Sequence, residues 1–428
     1  MNIFTNKTTK NRQEIFAALD IGTSKVCCAI AKVENRTSEK GGEVLRLIGV
    51  GHQSSKGIKG ALIVDLEALE DAILNAVHSA EQMAGQTISG VCVNLPASSV
   101  RSQTFESHLN IANQTVDETH IRRLLTFGRN AQISENQQII HALPISYSID
   151  STHGIHDPRG MVGSQLSVTI HLVTAPKVLI RNYLNCIGRC HLDVTSFVVT
   201  PYASGLSTLV DDELTLGATV IDMGGGTTTI ASFLDGTLIH VDSLPLGGAH
   251  VTSDIARGVS TPLAQAERLK TLYGTVILSS SDERESIVVP QLGENQDPQT
   301  HQIPKSMLTH IIRARVEETL EFIWNRLAAT GMDRLVCQRI ILTGGGGANF
   351  PVFERWQRIC GVVRFVRGNR SVSSARVILQ QTPCLPLVRV CFSMGGEIMQ
   401  VLKILFKWSP LKLMSYNGLR LGFGKTSK

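Results

Sequence analysis

Two stretches of the chain repeat one plan. Phe16-Ala-Ala-Leu19 enters the turn Asp20-Ile-Gly-Thr-Ser-Lys25, and Val26-Cys-Cys-Ala-Ile30 leaves it. Further on, Ala218-Thr-Val-Ile221 enters Asp222-Met-Gly-Gly-Gly-Thr-Thr228, and Thr229-Ile-Ala-Ser-Phe233 leaves it. Asp235-Gly236 then turns the chain into Thr237-Leu-Ile-His-Val241. Each stretch reads as strand, turn, strand. An Asp-centred hairpin that occurs twice, far apart in the chain, predicts two related α/β halves. A length of 428 residues with 43% apolar content also exceeds what one ordinary core organises.

Between the strands the periodicity turns helical. Asp65 is placed to cap a helix that carries Leu66, Leu69, Ile73 and Val77 on one face. Val316, Leu320, Ile323 and Leu327 form a second stripe. Residues 279–304 are polar, with scattered Ser, Asp, Gln and Pro, and read as an exposed excursion. Ile398, Val401, Leu402 and Leu405 give a last helical pattern over residues 397–408, with Gln400, Lys403 and Lys407 opposite.

The turn residues suit a nucleotide triphosphate. Glycine lets backbone amides approach phosphate oxygens, and small hydroxyl residues add donors. A carboxylate at a strand end holds Mg²⁺ through water. Asp20 with Gly22, Thr23, Ser24 and Lys25 makes one such set; Asp222 with Gly224, Gly225, Gly226, Thr227 and Thr228 makes another. A single copy is equally well an ordinary tight hairpin. Two copies, each behind an apolar strand, suit a cleft in which each half clamps the phosphates from one side. A third Gly-rich loop, Leu342-Thr-Gly344-Gly345-Gly346-Gly-Ala-Asn349, follows the strand Arg339-Ile-Ile-Leu342. Before it, Glu267 and Lys270 lie i, i+3 on a predicted helix and, taken alone, read as a surface pair. The near-Walker stretch from Gly418 to Thr426 is rejected, because its first glycine is out of register and no helix follows.

Charge and cysteine usage narrow the setting. Residues 397–428 hold Lys403, Lys407, Lys412, Arg420, Lys425 and Lys428 against Glu397 alone; six against one accounts for the whole net charge of +5. A basic patch confined to one end suggests a surface contact there rather than nucleic-acid binding. The nine cysteines form no C-x-x-C pair; although Cys186 and Cys190 precede His191, no second ligand pair follows at zinc spacing. They read as buried thiols of a reducing compartment. Residues Met1 to Glu14 show no apolar core of a signal peptide. No apolar stretch reaches the roughly 18 residues a spanning helix needs.

The two hairpins, the Glu267/Lys270 helix and the Gly344 loop, in this order, resemble the superfamily of actin, DnaK-type chaperones and sugar kinases. The resemblance implies that ATP lies between the halves, with Gly22 to Lys25 and Gly224 to Thr228 on its phosphates. It places Asp20 and Asp222 toward Mg²⁺, Glu267 and Lys270 at the ribose and adenine, and Gly344 to Gly346 beneath the nucleoside. Gly51-His-Gln-Ser-Ser-Lys-Gly-Ile-Lys-Gly-Ala-Leu-Ile-Val-Asp65 narrows the resemblance to the FtsA family of bacterial cell-division proteins. His141-Ala-Leu-Pro-Ile-Ser-Tyr-Ser-Ile-Asp150, Gly154-Ile-His-Asp-Pro-Arg-Gly160 and the stretch from Pro245 to Arg257 are similar to it as well. Together these pieces cover roughly residues 14–360.

That family implies an actin-like two-domain α/β fold. Subdomain 1A is expected over 14–88 and 169–210, interrupted by an inserted subdomain 1C at 89–168. Subdomain 2A is expected over 211–247 and 335–396, around subdomain 2B at 248–334. A basic amphipathic membrane-targeting tail is expected over 397–428, with Val401, Leu402, Leu405, Phe406 and Trp408 entering the acyl boundary and Lys403 and Lys407 meeting anionic headgroups. The alternative is that this helix packs on its own domain. The implied function is an ATP-dependent adaptor that self-associates into filaments, contacts other division proteins, and tethers FtsZ polymers to the cytoplasmic face of the inner membrane at the septum. FtsZ would present its C-terminal peptide to the 248–334 lobe, where Arg313, Arg315 and Glu318 are the candidate surface. In Val198-Val-Thr-Pro-Tyr-Ala-Ser-Gly205, Thr200 stands where DnaK-type chaperones carry a Glu beside the attacking water. A hydroxyl is a poor general base, so hydrolysis is expected to be slow. The rivals are a phosphotransfer enzyme of the sugar-kinase or exopolyphosphatase type and an actin-like pilus-assembly protein.

Residues 361–394 depart from the family. A strand and a Pro-Ala-Phe helix opening are expected after the Gly-rich loop; instead the chain reads Arg367-Gly-Asn-Arg-Ser-Val-Ser-Ser-Ala-Arg376 and an irregular apolar run. A shifted reading frame here, restored near Gly395, would spell something nearer the family. Resequencing the gene is expected to reveal a local frame error, and an intact frame overturns that expectation.

Overall fold

In the computed structural model, the residues described are 15–35, 43–60, 62–130, 133–280, 282–291, 300–332, 339–345, 364–367, 376–381 and 386–391. The first half begins with a meander of β1 (Ile15–Ile21), β2 (Lys25–Asn35) and β3 (Glu43–Ser54). A two-residue hairpin, β4 (Ile58–Lys59) and β5 (Leu62–Ile63), leads into helix α1 (Leu66–Ala84). The Asp65 carboxylate caps α1 by accepting from the Ala68 amide at 3.1 Å, and Gly85 ends it at φ +65°. Strand β6 (Gly90–Leu95) returns parallel to β1.

The chain then leaves this sheet. Strand β7 (Arg101–Thr115), helix α2 (Glu118–Asn130), and strands β8 (Gln137–Ile149), β9 (Thr152–Ile155) and β10 (Val162–Pro176) build a separate antiparallel sheet in the order β7-β10-β8-β9. Ile121 and Leu124 of α2 pack on Val168 and Ile170 in its core. The expected start of the insert, residue 89, needs correction. Residues 90–95 belong instead to the first sheet, where β1 and the later β11 hold them from both sides, and the inserted sheet continues through β10 to Pro176.

Helix α3 (Lys177–Arg189), strand β11 (Asp193–Val199) and helix α4 (Thr200–Thr208) close the first half. Its sheet runs β11-β6-β1-β2-β3. Leu19 and Ile30 are sealed beneath Leu69 and Ile73 of α1 and Ile180 and Tyr183 of α3. Helix α1 lies so close to β3 that a methyl group on Gly51 would sit 1.9 Å from the Ala76 carbonyl oxygen, so glycine is required there for packing.

The second half repeats the arrangement after helix α5 (Asp211–Leu216). Strands β12 (Ala218–Met223), β13 (Thr228–Leu234) and β14 (Thr237–Leu244) form a meander. Helices α6 (Gly248–Gly258) and α7 (Leu263–Tyr273), strands β15 (Ser286–Pro290) and β16 (Thr300–Pro304), and the long α8 (Lys305–Ala329) follow. Strands β17 (Arg339–Thr343) and β18 (Arg364–Arg367) complete a sheet of order β14-β13-β12-β17-β18. The two sheets therefore share one topology: a three-stranded meander whose first strand leads, through parallel pairing, to two later strands. Strands β19 (Arg376–Gln381) and β20 (Pro386–Cys391) pair with each other.

Val316, Leu320, Ile323 and Leu327 of α8 all enter the second core, as their spacing predicts. The described part of the excursion expected at 279–304 is mostly exposed but not irregular. Strands β15 and β16 pair there and bury Ile287, Val289 and Ile303. Ile287, Val288 and Val289 form only a short apolar run and Ile303 stands beside polar residues; the alternation lies in burial, with Val288 exposed between Ile287 and Val289.

Histidines help fasten the inserted sheet to its neighbours in both halves. Ser102 Oγ of β7 accepts from the Val241 amide of β14 at 3.1 Å and lies 2.8 Å from His171 Nε2. His141 Nε2 accepts from the Val199 amide at 3.1 Å, and its ring meets Tyr202 edge-on at 5.2 Å. Burial, then the neighbouring His171, pushes His141 down to about 3; burial, then His240, pushes His171 down to about 4. His240 is also lowered by burial, against the opposing pull of Asp242. All three shifts have the same sign. Below the ordinary histidine value of 6.5 the unfolded chain takes up protons that the folded chain refuses, so stability falls as the pH falls. Chemical unfolding is expected to show a histidine contribution that is flat above pH 6.5 and declines below it, by up to about 1.4 kcal/mol per pH unit for each neutral histidine. Replacing His141 with Gln should flatten part of the slope.

Candidate functional site

The two glycine turns are built alike. In the first, the Gly22 amide donates to the Lys25 carbonyl at 2.9 Å; in the second, the Gly224 amide donates to the Thr227 carbonyl, also at 2.9 Å. Each turn lies at the end of the strand that carries its aspartate, and the two turns face each other. A Cβ placed on Gly225 would stand 3.1 Å from Ser24 Oγ, and one on Gly226 would stand 2.8 Å from Thr23 Oγ1. Thr23, Ser24, Gly225 and Gly226 thus meet at one spot, as the repeated hairpin predicts.

The second turn rests on the start of α6. The Gly248 and Ala249 amides donate to the Gly224 and Gly225 carbonyls at 2.9 and 2.7 Å. A Cβ on Gly247 would fall 2.7 Å from both of those carbonyl oxygens, so the strand-to-helix turn must be bare backbone. Behind it lies Lys270. Its Nζ donates to the Gly248 carbonyl at 3.0 Å, to Thr252 Oγ1 at 2.8 Å and to Glu267 Oε2 at 2.6 Å. The Thr252 hydroxyl in turn lies 2.5 Å from Glu267 Oε2. Glu267 and Lys270 are therefore more than a solvated surface pair: the lysine is buried and braces the helix under the second glycine turn.

The third loop reaches the same place. Gly344 adopts φ +90°, and a Cβ there would crowd Asp222 Oδ1 and lie 2.5 Å from the Met223 carbonyl oxygen. Gly345 follows and is exposed, whereas Gly346 lies outside the described residues.

The structure adds partners to two of the groups singled out in the sequence. Thr228 is fully buried and its hydroxyl donates to the Leu246 carbonyl at 2.8 Å, which turns it away from the facing loop. It is the first residue of β13, where alternation sends its side chain inward. Arg313 and Arg315 are not isolated cations. Arg313 pairs with Glu317 at 3.1 Å; Arg315 pairs with Asp254 of α6 at 2.5 Å and with Glu318. The Arg315–Asp254 pair ties α8 to α6. The tail residues Val401, Leu402, Lys403, Leu405, Phe406, Lys407 and Trp408 lie outside the described residues.

Two residues that the motifs did not announce touch the aspartates. Asn94, buried at the end of β6, donates from Nδ2 to Asp20 Oδ1 at 2.6 Å and to Thr200 Oγ1 at 3.2 Å, and its Oδ1 accepts from the Ile21 amide at 2.7 Å. Ser204 Oγ donates to Asp222 Oδ2. Asn94 had a signal in the sequence: it is the one amide in the apolar run Val91-Cys-Val-Asn-Leu95, and a buried amide demands partners. Thr200 donates to the Leu95 carbonyl at 3.0 Å while accepting from Asn94, so its hydroxyl proton is committed to the backbone. Cys27, Cys28, Cys92, Cys186 and Cys190 are buried free thiols, and burial pushes Cys27 and Cys28 up to about 12, which makes them poor nucleophiles.

Comparison with known proteins decides the family. A family model described as cell division protein FtsA matches residues 219–403, and one described as the SHS2 domain inserted in FtsA matches residues 97–174. Cell division protein FtsA of Agrobacterium fabrum is 41% identical over 374 residues, covering 86% of this chain and 83% of that protein. The chain belongs to the FtsA family. The FtsA proteins of Neisseria meningitidis and Escherichia coli are 32% and 29% identical, covering 82% and 78% of this chain and 83% and 79% of theirs. Among solved structures, the PilM–PilN type IV pilus biogenesis complex contains a chain of similar fold, with TM-score 0.56, 16% identity, and coverage of 82% of this chain and 87% of that one. The fold is actin-like, and the second antiparallel sheet occupies the place of the FtsA insert. Among the described residues, no helix is long and apolar enough to cross a membrane.

The contact between the turns gives a direct test. Gly226→Val fills the 2.8 Å space against Thr23. It is expected to lower nucleotide affinity by at least about tenfold, about 1.4 kcal/mol. Titration with a fluorescent nucleotide measures this, and unchanged affinity would place the phosphates elsewhere.

Proposed function

We propose that this chain is an ATP-dependent adaptor of bacterial cell division that holds FtsZ polymers at the cytoplasmic face of the inner membrane. The observation that carries the reading is the opposition of the Thr23–Ser24 and Gly225–Gly226 turns in a chain of the FtsA family. Glycine backbone on one side of a spot and small hydroxyl side chains on the other are donors that suit a polyphosphate. Two carboxylates, Asp20 and Asp222, are the donor set that Mg²⁺ takes when phosphate and water complete its shell. When bound, the ion neutralises phosphate charge.

The chain's own groups divide the work. Thr23, Ser24 and the amides of Gly22 and of Gly224 to Gly226 bind the phosphates from the two halves. Lys270 and Glu267 brace the second turn and face the ribose and adenine, and Gly344 and its neighbours pass beneath the nucleoside. Thr200 offers no carboxylate, and its proton is held by Leu95. Hydrolysis is therefore slow, and the nucleotide serves as an assembly switch that joins the halves for head-to-tail association. The same residue disfavours the phosphotransfer reading, which needs a carboxylate poised at the acceptor.

The FtsZ C-terminal peptide docks on the 248–334 lobe at the α8 surface, competing with Glu317 and Glu318 for Arg313 and Arg315. The 397–408 helix lies in the membrane interface and draws the complex, with other division proteins, to the septum.

Co-sedimentation of FtsZ with anionic liposomes tests the whole. FtsZ is expected to pellet with the full chain and ATP, and to stay in solution with a version ending at Gly396. If the chain binds ATP but never reaches the liposomes, the tether reading fails.

A further inference from the structure

Helix α4 is the covalent bridge from the first half to the second, and it carries Thr200 and Ser204 one turn apart on the same face. Each hydroxyl leads to a different aspartate. Thr200 meets Asn94 at 3.2 Å, and Asn94 holds Asp20 at 2.6 Å; Ser204 donates directly to Asp222. Asn94 has no freedom left. Its two amide protons go to Asp20 and Thr200, and its oxygen takes the Ile21 amide. Ser204 is equally fixed. It is buried, and the next residue, Gly205, lies so close to Phe233 of β13 that a Cβ there would sit 2.2 Å from the ring. That packing presses α4 onto the strand beside the one that bears Asp222.

We propose that Asn94 and Ser204 are positioning residues that fix the rotamers of Asp20 and Asp222 for a divalent cation bound with nucleotide, and that α4 couples the two carboxylates. The inference rests on the nucleotide reading above. A carboxylate oxygen that already accepts one directed hydrogen bond cannot rotate freely, so its orientation toward the cleft is set before the ion arrives. Outer partners of this kind typically change metal affinity by about 10- to 100-fold when removed. Because both partners are anchored through α4, closing one half on the other moves the two carboxylates together.

The test compares ATP affinity of the full chain in Mg²⁺ with that in EDTA, for the unaltered protein, Ser204→Ala, Asn94→Ser and the double variant. The ratio of the two affinities is the readout, because a general loss of stability lowers both alike. Ser204→Ala is expected to reduce the Mg²⁺ gain by about tenfold or more and to leave the EDTA affinity within about threefold, whereas Asn94→Ser, which also loosens the first turn, is expected to reduce the gain by a similar factor and to lower both affinities. Wild-type Mg²⁺ gain in both single variants overturns the proposal. Failure of the unaltered protein to bind ATP in either buffer overturns the nucleotide reading itself. If Asn94→Ser or the double variant fails to fold, Ser204→Ala decides alone, since it removes a single oxygen.

Discussion

The fold depends on the approach of two turns, in which the Thr23 and Ser24 side chains of one fit against the bare backbone of Gly225 and Gly226 in the other. Gly225 and Gly226 lie against Ser24 and Thr23 at distances a Cβ would violate or crowd. Each turn is closed by the same amide-to-carbonyl bond and sits at the end of a strand that its own half buries. Two sheets of matching topology deliver those strand ends to one place. Duplication of the sheet thus brings an aspartate and a glycine-containing turn from each half to one place.

The supports behind the two turns differ. The second turn stands on the α6 amides, and these stand on the Lys270–Thr252–Glu267 group. A buried ammonium is costly unless its protons are all directed, and here the three acceptors meet that demand. The first turn relies on Asn94, which ties the strand end to the start of α4. Charge therefore braces the half that carries the second turn, while a neutral amide braces the other. The buried histidines at the inserted sheet follow the same rule: each is kept neutral by burial and held by a hydrogen bond or ring contact to an adjoining element.

Much of the site was legible in the sequence because it is local. Strand, Asp, glycine turn and strand are contiguous, and backbone geometry within a turn follows from a few neighbouring residues. The Asp65 cap and the α8 stripe were legible for the same reason. Asn94 was half legible: a polar residue in an apolar strand signals a partner but does not name it. The β15–β16 hairpin was hidden because β15 offers a run of only three apolar residues and β16 offers Ile303 beside polar ones.

The sequence by itself determined the two hairpins, the glycine turns, the family and the order of the parts, since each is written in residues close along the chain. Tertiary structure alone decided which groups face one another. It brought Asn94 to Asp20 across 74 positions, carried Lys270 beneath a turn that begins at Gly224, and turned Thr228 inward. It also paired Arg315 with Asp254, which no local pattern foretells. The physical reason is that such contacts depend on how sheets and helices stack, and stacking is set by the sum of buried surfaces rather than by any short run of residues.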